Sequence, residues 1–185
     1  DMDDAADGGK VKERYNGSGA TVRGFNVEGR AAFTRWFELQ AGVTLQQSRY
    51  KEPEFWSEDA EVPPVRRMFR TPDAYGYFTA SFKPVRNFTA DLSGTCTGSM
   101  LVQHMAGSGV AQDVAVSTPS FFDMNIRLSY DVRIYKEITM QLYGGVQNLF
   151  NAYQKDFDKG VDRDSGYIYG PSLPRSWFVG AKFSF

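Results

Sequence analysis

Residues 121–135 read FFDMNIRLSYDVRIY, and their pattern decides the fold. Phe122, Met124, Ile126, Leu128, Tyr130, Val132 and Ile134 share one parity, and Asp123, Asn125, Arg127, Ser129, Asp131 and Arg133 share the other. Side chains of a strand point alternately to opposite faces, so this stretch predicts a strand with one apolar wall and one charged wall. It is longer than the usual globular strand of about 5–6 residues and exceeds the roughly 9–11 that cross a bilayer at a tilt. Several such strands in succession predict a membrane β-barrel, whose outside meets lipid and whose inside is wet.

The pattern recurs on both sides. Residues 19–34 alternate Phe25, Val27, Ala31 and Phe33 with Asn26, Glu28 and Arg30. After a tight turn at Arg35 and Trp36, Phe37, Leu39, Ala41, Val43 and Leu45 alternate with Glu38, Gln40, Thr44 and Gln46. Residues 50–71 carry three prolines and mixed charge and read as a long loop. Strands then follow at 73–83 and, after a short turn, from Phe88 through Cys96 to Met100. An irregular stretch over 104–119 leads into the strand at 121–135. A turn at 135–137 opens a sixth strand, ITMQLYGGVQNLF, and a third loop over 151–175 leads to the last, SWFVGAKFSF. The expected fold is therefore all-β: an antiparallel up-and-down meander of about seven long strands. Short and long connections alternate, which puts every short turn at one end and every long loop at the other, as in bacterial outer-membrane barrels. Seven strands leave two open edges, so residues 1–185 are expected to be part of a larger barrel.

Composition narrows the function classes. A net charge of −1 gives no reason to propose nucleic acid as a partner. Phe 15, Tyr 10 and Gly 18 suit strands and turns. One cysteine, Cys96, excludes an internal disulfide and a cysteine-paired zinc site, and its parity makes it a lipid-facing or buried thiol. No run of eighteen apolar residues occurs, so no transmembrane helix is expected, and the mean hydropathy of −0.42 is compatible with a barrel whose lumen residues are polar. Residues 1–18 are acidic and aperiodic and read as a flexible loop end. The start at Asp1, with no signal peptide, reads as a processed protein or a piece of one.

The final quarter adds a family resemblance. GGVQNLFNAYQKDFDKGVDRD, residues 144–164, and YIYGPSLPRSWFVGAKFSF, residues 167–185, resemble the C-terminal end of TonB-dependent outer-membrane receptors, particularly the Bacteroidetes type. TPDAYGYFTASFKP and TGSML are more loosely similar to the family's middle hairpins. The resemblance implies a barrel of twenty-two strands enclosing an N-terminal plug, with a segment that engages TonB across the periplasm. Ligands would be scarce nutrients such as iron chelates, cobalamin or glycans, bound by outer loops and plug. Neither plug nor TonB segment is recognisable here, and Phe178 stands where the terminal assembly signal puts a polar residue, two before Gly180. The implied location is the outer membrane of a Gram-negative cell. The implied partners are its lipid, the rest of the receptor and the TonB system.

Site expectations are sparse. Trp36, Tyr135, Trp177 and Phe185 lie near strand ends and suit a membrane-interface girdle, against the alternative of core packing in a sandwich. Phe55 and Trp56 with Arg66, Arg67 and Arg70 could form part of an outer mouth for an anionic ligand, or be merely solvated. Asp156, Asp158, Asp162 and Asp164 invite a calcium reading, but their spacing departs from the D-x-D-x-D-G loop and a solvated acidic loop is expected. His104, the one histidine, has no evident partner and reads as a loop residue. Arg127, Asp131, Arg133 and Glu137 should line the lumen, and Gly17 to Gly19, Gly144 and Gly145 mark bends or close backbone approach, not phosphate loops. No acid–base pair, metal cluster or cofactor motif emerges, so no enzyme, metal or cofactor is expected. The alternatives are another outer-membrane barrel, either a porin or a small one with an eighth strand near residues 9–16, and a soluble antiparallel barrel or sandwich binding an apolar ligand.

Overall fold

The computed structural model describes residues 17–185 together with the backbone of residues 2–3 and 10–11. Most of the loop end expected over residues 1–18, and most of the segment proposed as an eighth strand, lie outside the described residues. Two short strands, β1 (Met2–Asp3) and β2 (Lys10–Val11), pair with each other. The chain then forms β3 (Ala20–Thr34), β4 (Phe37–Glu54), β5 (Val65–Arg67), β6 (Ala74–Val85), β7 (Phe88–Thr97), β8 (Leu101–His104), β9 (Val114–Ser117), β10 (Phe121–Tyr135), β11 (Ile138–Gln147) and β12 (Ser176–Ser184).

The main sheet runs β3-β4-β6-β7-β10-β11-β12, antiparallel throughout, with β5 added on β4. This is the expected meander. Its links at residues 35–36, 86–87 and 136–137 are tight turns at one end, and the long links all lie at the other.

Register carries the alternation of each strand across the whole sheet. Ile126 pairs with Leu92, Leu92 with Ala80, Ala80 with Leu39 and Leu39 with Ala31. Toward the other edge, Leu128 pairs with Gly144, and Gly144 with Val179. The intervening rows are polar: Asn125, Ser93, Thr79, Gln40 and Arg30 form one. A slip of one residue anywhere would mix the two faces, so this register is strongly specified. On β10, ten residue steps from Phe122 to Val132 at about 3.3 Å and a tilt of about 40° cover roughly 25 Å of height, the apolar band of a membrane barrel.

The two faces are organised differently. On the polar face side chains pair across strands: Asn26 donates to Thr44 (2.7 Å), Ser81 to Asp91 (2.6 Å), Arg127 to Gln141 (3.3 Å) and Gln141 to Asp131 (2.9 Å). Arg30 pairs with Glu38. Tyr77 lies across Gly42 to donate to Glu28, and a Cβ on Gly42 would stand 2.7 Å from its ring, so only glycine leaves the tyrosine that path. On the apolar face no second layer packs against the sheet among the described residues. Val179 is 89% exposed and Trp177 77%, and Phe25, Val27, Leu128 and Leu142 are exposed as well. The buried hydrophobic cluster lies elsewhere, among the long loops.

Three segments differ from the sequence reading. Strand β4 continues to Glu54, and β5 folds back on it, inside what reads as one long loop. Pro53 is tolerated there because it lies past Tyr50, the last residue of β4 paired with β3. Within the irregular stretch, β9 pairs with β8, and four-residue strands are too short for alternation to stand out. Strands β7 and β11 end earlier than expected, at Thr97 and Gln147, the second because Asn148 turns the chain with φ 50°.

Candidate functional site

The long loops converge into a crown over the far end of the sheet. Its centre is Val102 of β8, fully buried, with Tyr167 and Tyr169 of the third loop, packed by Met100, Val116 and Phe121. Apolar residues at the loop bases thus bury each other, and polar groups stitch the upper parts together.

Asn148 fixes the start of the third loop. Its amide group donates to the carbonyls of Ala152 and Leu173, accepts from the Ala152 N–H, all at 2.8 Å, and is 2% exposed. Its backbone N–H donates to Asn125 Oδ1 at 2.9 Å, tying loop to wall. Asn148→Ala strands these buried groups and is expected to lower unfolding free energy by about 2–3 kcal/mol, readable as a lower urea midpoint.

His104 is the principal surprise. Its Nε2 lies 3.0 Å from both carboxylate oxygens of Asp158, and the two side chains are only 7% and 3% exposed. The imidazole stacks on Tyr167 with centroids 3.7 Å apart and planes 3° from parallel. The loop-residue reading of His104 does not survive, because the histidine closes β8, and the solvated reading of the acidic stretch fails at Asp158, its buried partner, while Asp156 and Asp162 stay exposed. Asp164 belongs to the same cluster, its N–H donating to Asp158 (3.1 Å) and its carboxylate accepting from the Met105 N–H (2.8 Å). Asp156 accepts from the Tyr167 hydroxyl (2.7 Å) and from that of Tyr169. Burial pushes the Asp158 carboxyl up, but the Asp164 amide and His104 outweigh it and hold it below the usual range. Asp156 is held low in the same way, against burial, by Tyr169 and Tyr167. Burial, and then the Asp156 carboxylate, push the Tyr169 hydroxyl up to about 12 and that of Tyr167 up as well. Among the described residues no group of acids and histidine has the arrangement of a metal site.

The residues expected at an outer mouth are dispersed among different partners. Phe55 projects into solvent, while Trp56 packs edge-on against Phe69 at 5.3 Å. Arg66 donates to the Lys51 carbonyl (3.2 Å), and Arg67 donates to the Ser99 carbonyl (2.7 Å) and pairs with Asp73 (3.0 Å). Arg70 reaches the third loop, donating to the carbonyls of Ile168 (3.0 Å) and Gly166. Asp113 links the first two loops, accepting from the Ser57 hydroxyl (2.6 Å) and the Ala106 N–H (2.7 Å). A cleft of about 440 Å³ opens in the third loop, lined by Tyr153, Phe157, Arg163 and Ile168 beside the two buried tyrosines. Of the strand-end aromatics, Trp36, Tyr135 and Phe185 lie at the short-turn end and Trp177 at the loop end, all exposed.

A sheet with these two faces and this loop crown has a counterpart among solved structures. The closed form of the ferric-catecholate import receptor Fiu of Escherichia coli K12 superposes on 88% of this chain with a TM-score of 0.60 and 20% identity. The chain therefore shares the fold of a segment of a transmembrane β-barrel. This segment spans 20% of the Fiu chain. The similar structure is an import receptor, and its source lends the Bacteroidetes-type variant no support. No family model and no curated protein matches the chain.

Proposed function

We propose that this chain is the C-terminal wall of the β-barrel of a TonB-dependent outer-membrane receptor that imports a scarce nutrient. The observation that carries the proposal is the place of the hydrophobic core. It sits in the loop crown, while the apolar face of the main sheet is bare and its polar face carries cross-strand side-chain pairs. A soluble sandwich would bury that apolar face under a second sheet, whereas a barrel wall gives it to lipid. Trp36, Tyr135 and Phe185 at one end and Trp177 at the other would then mark the two membrane interfaces.

In this reading the remaining strands close the barrel on the edges of β3 and β12, a plug fills the lumen, and TonB acts through that plug. The crown faces the outside of the cell. Phe55, Trp56, Arg66, Arg67 and Arg70 belong to its ligand-capturing rim, the exposed Phe55 offering an apolar contact and the arginines shaping the loops around the ligand. Ferric catecholates, named for Fiu, make iron chelates the first ligands to test. The Bacteroidetes-type assignment rests on GVQNLFNAYQ and its flanks.

The test is the native species. Antibody against this chain should detect, in the outer-membrane fraction, a band several times larger than 20.8 kDa. A soluble protein near that mass would overturn the reading.

A further inference from the structure

The geometry points to a binding site for an alkylammonium group at Asp123, where the polar face of the sheet meets the loop crown. Other carboxylates of that face are engaged by neighbours: Glu28 by Tyr77 and Gln40, Glu38 by Arg30, Asp91 by Ser81 and Asp131 by Gln141. Asp123 is different. Its Oδ1 is buried and has no hydrogen-bond donor among the described residues. It lines a pocket of about 240 Å³ together with Thr95, Thr97, Thr118, Phe121 and Pro171, and no lysine or arginine is among the lining residues.

The lining selects the occupant. A buried carboxylate oxygen without a donor is costly, and a cationic donor offsets more of that cost than a neutral one. Three hydroxyls supply further acceptors for the three N–H bonds of an ammonium, although the Thr118 oxygen already accepts from the Met100 N–H at 3.1 Å. Phe121 and Pro171 give the pocket an apolar shoulder for the alkyl stem. A hard metal ion fits poorly, because it demands about six or more oxygen ligands, several of them charged, and the side chains of the pocket offer one carboxylate and three hydroxyls.

Asp123 shares its face with Arg127 and Asp131, so under the proposed function the pocket opens to the lumen, and that placement rests on the proposed reading. The ammonium then has two possible sources: a lysine of a segment enclosed by the barrel, or an amine on the imported ligand. Two measurements on the full-length protein separate them. Carbodiimide joins a carboxylate to an amine in contact with it, and a crosslink from Asp123 to a lysine, mapped by mass spectrometry, assigns the site to the protein's own segment. Without that crosslink, saturation transfer to n-butylammonium that is absent for n-butanol and lost in Asp123→Asn assigns it to a ligand amine. Either result in a protein found outside the membrane keeps the site and removes only the lumen. Absence of both the crosslink and the ammonium-specific signal in the wild-type protein overturns the proposal.

Discussion

Leu128→Arg in the full-length protein is expected to lower folding stability in lipid bilayers by about 2–4 kcal/mol, the cost of an arginine facing lipid near the midplane. Leu128 is midway along β10, 44% exposed, on the row that continues through Gly144 to Val179. Nothing in the described residues could pair with a charge there. The neighbouring Arg127→Gln should cost much less. Arg127 stands on the opposite face, where its guanidinium donates to Gln141 and lies 4.5 Å from the centre of the Tyr143 ring, and a glutamine remains comfortable beside water. Urea titration of refolded protein in vesicles measures both. Similar losses for the two variants would contradict the assignment of faces.

The second large effect concerns the crown. His104→Ala removes the donor to the buried Asp158 carboxylate together with the stack on Tyr167. Breaking one side of a buried pair is strongly destabilising, and amide exchange across residues 154–169 is expected to speed up on the order of a hundredfold. The main sheet should keep its protection, since His104 and Asp158 both lie outside it. Acid has a related effect. The folded-state values of Asp158 and Asp156 lie below the ordinary 3.8, so their contribution is complete above about pH 4 and is lost as pH falls through those lowered values. Base acts through the tyrosines: the Tyr169 contribution is complete below pH 10 and is lost as pH rises from there toward about 12. The urea stability of the crown measured from pH 3 to 12 should therefore be highest between these limits.

The wall was legible in the sequence because a strand of fifteen residues such as β10 repeats its alternation often enough to exclude a helix, and because short turns and long loops alternate in order. The crown was not. His104 and Asp158 are 54 residues apart, and nothing local marks them as partners. The usable signal was a lone histidine at the end of the LVQH segment and an acidic stretch, DFDKGVDRD, whose spacing suited no metal loop. Asn148 was visible only as part of a resembling phrase. Its role follows from a positive φ and from carbonyls brought to it by chain as distant as Leu173. The arginines at 66, 67 and 70 show the same limit: charge in a loop does not reveal whether it meets solvent, ligand or a backbone carbonyl.

The central claim is that the apolar face of this sheet meets lipid. A nitroxide placed in turn at positions 126–131 of the native protein, in a Cys96→Ser background, tests it by comparing collisions with oxygen, which partitions into lipid, and with a water-soluble nickel complex. Positions 126, 128 and 130 should favour oxygen and positions 127, 129 and 131 the nickel complex, alternating with the period of the strand. The opposite phase, or nickel access at 126 and 128, would contradict a barrel wall.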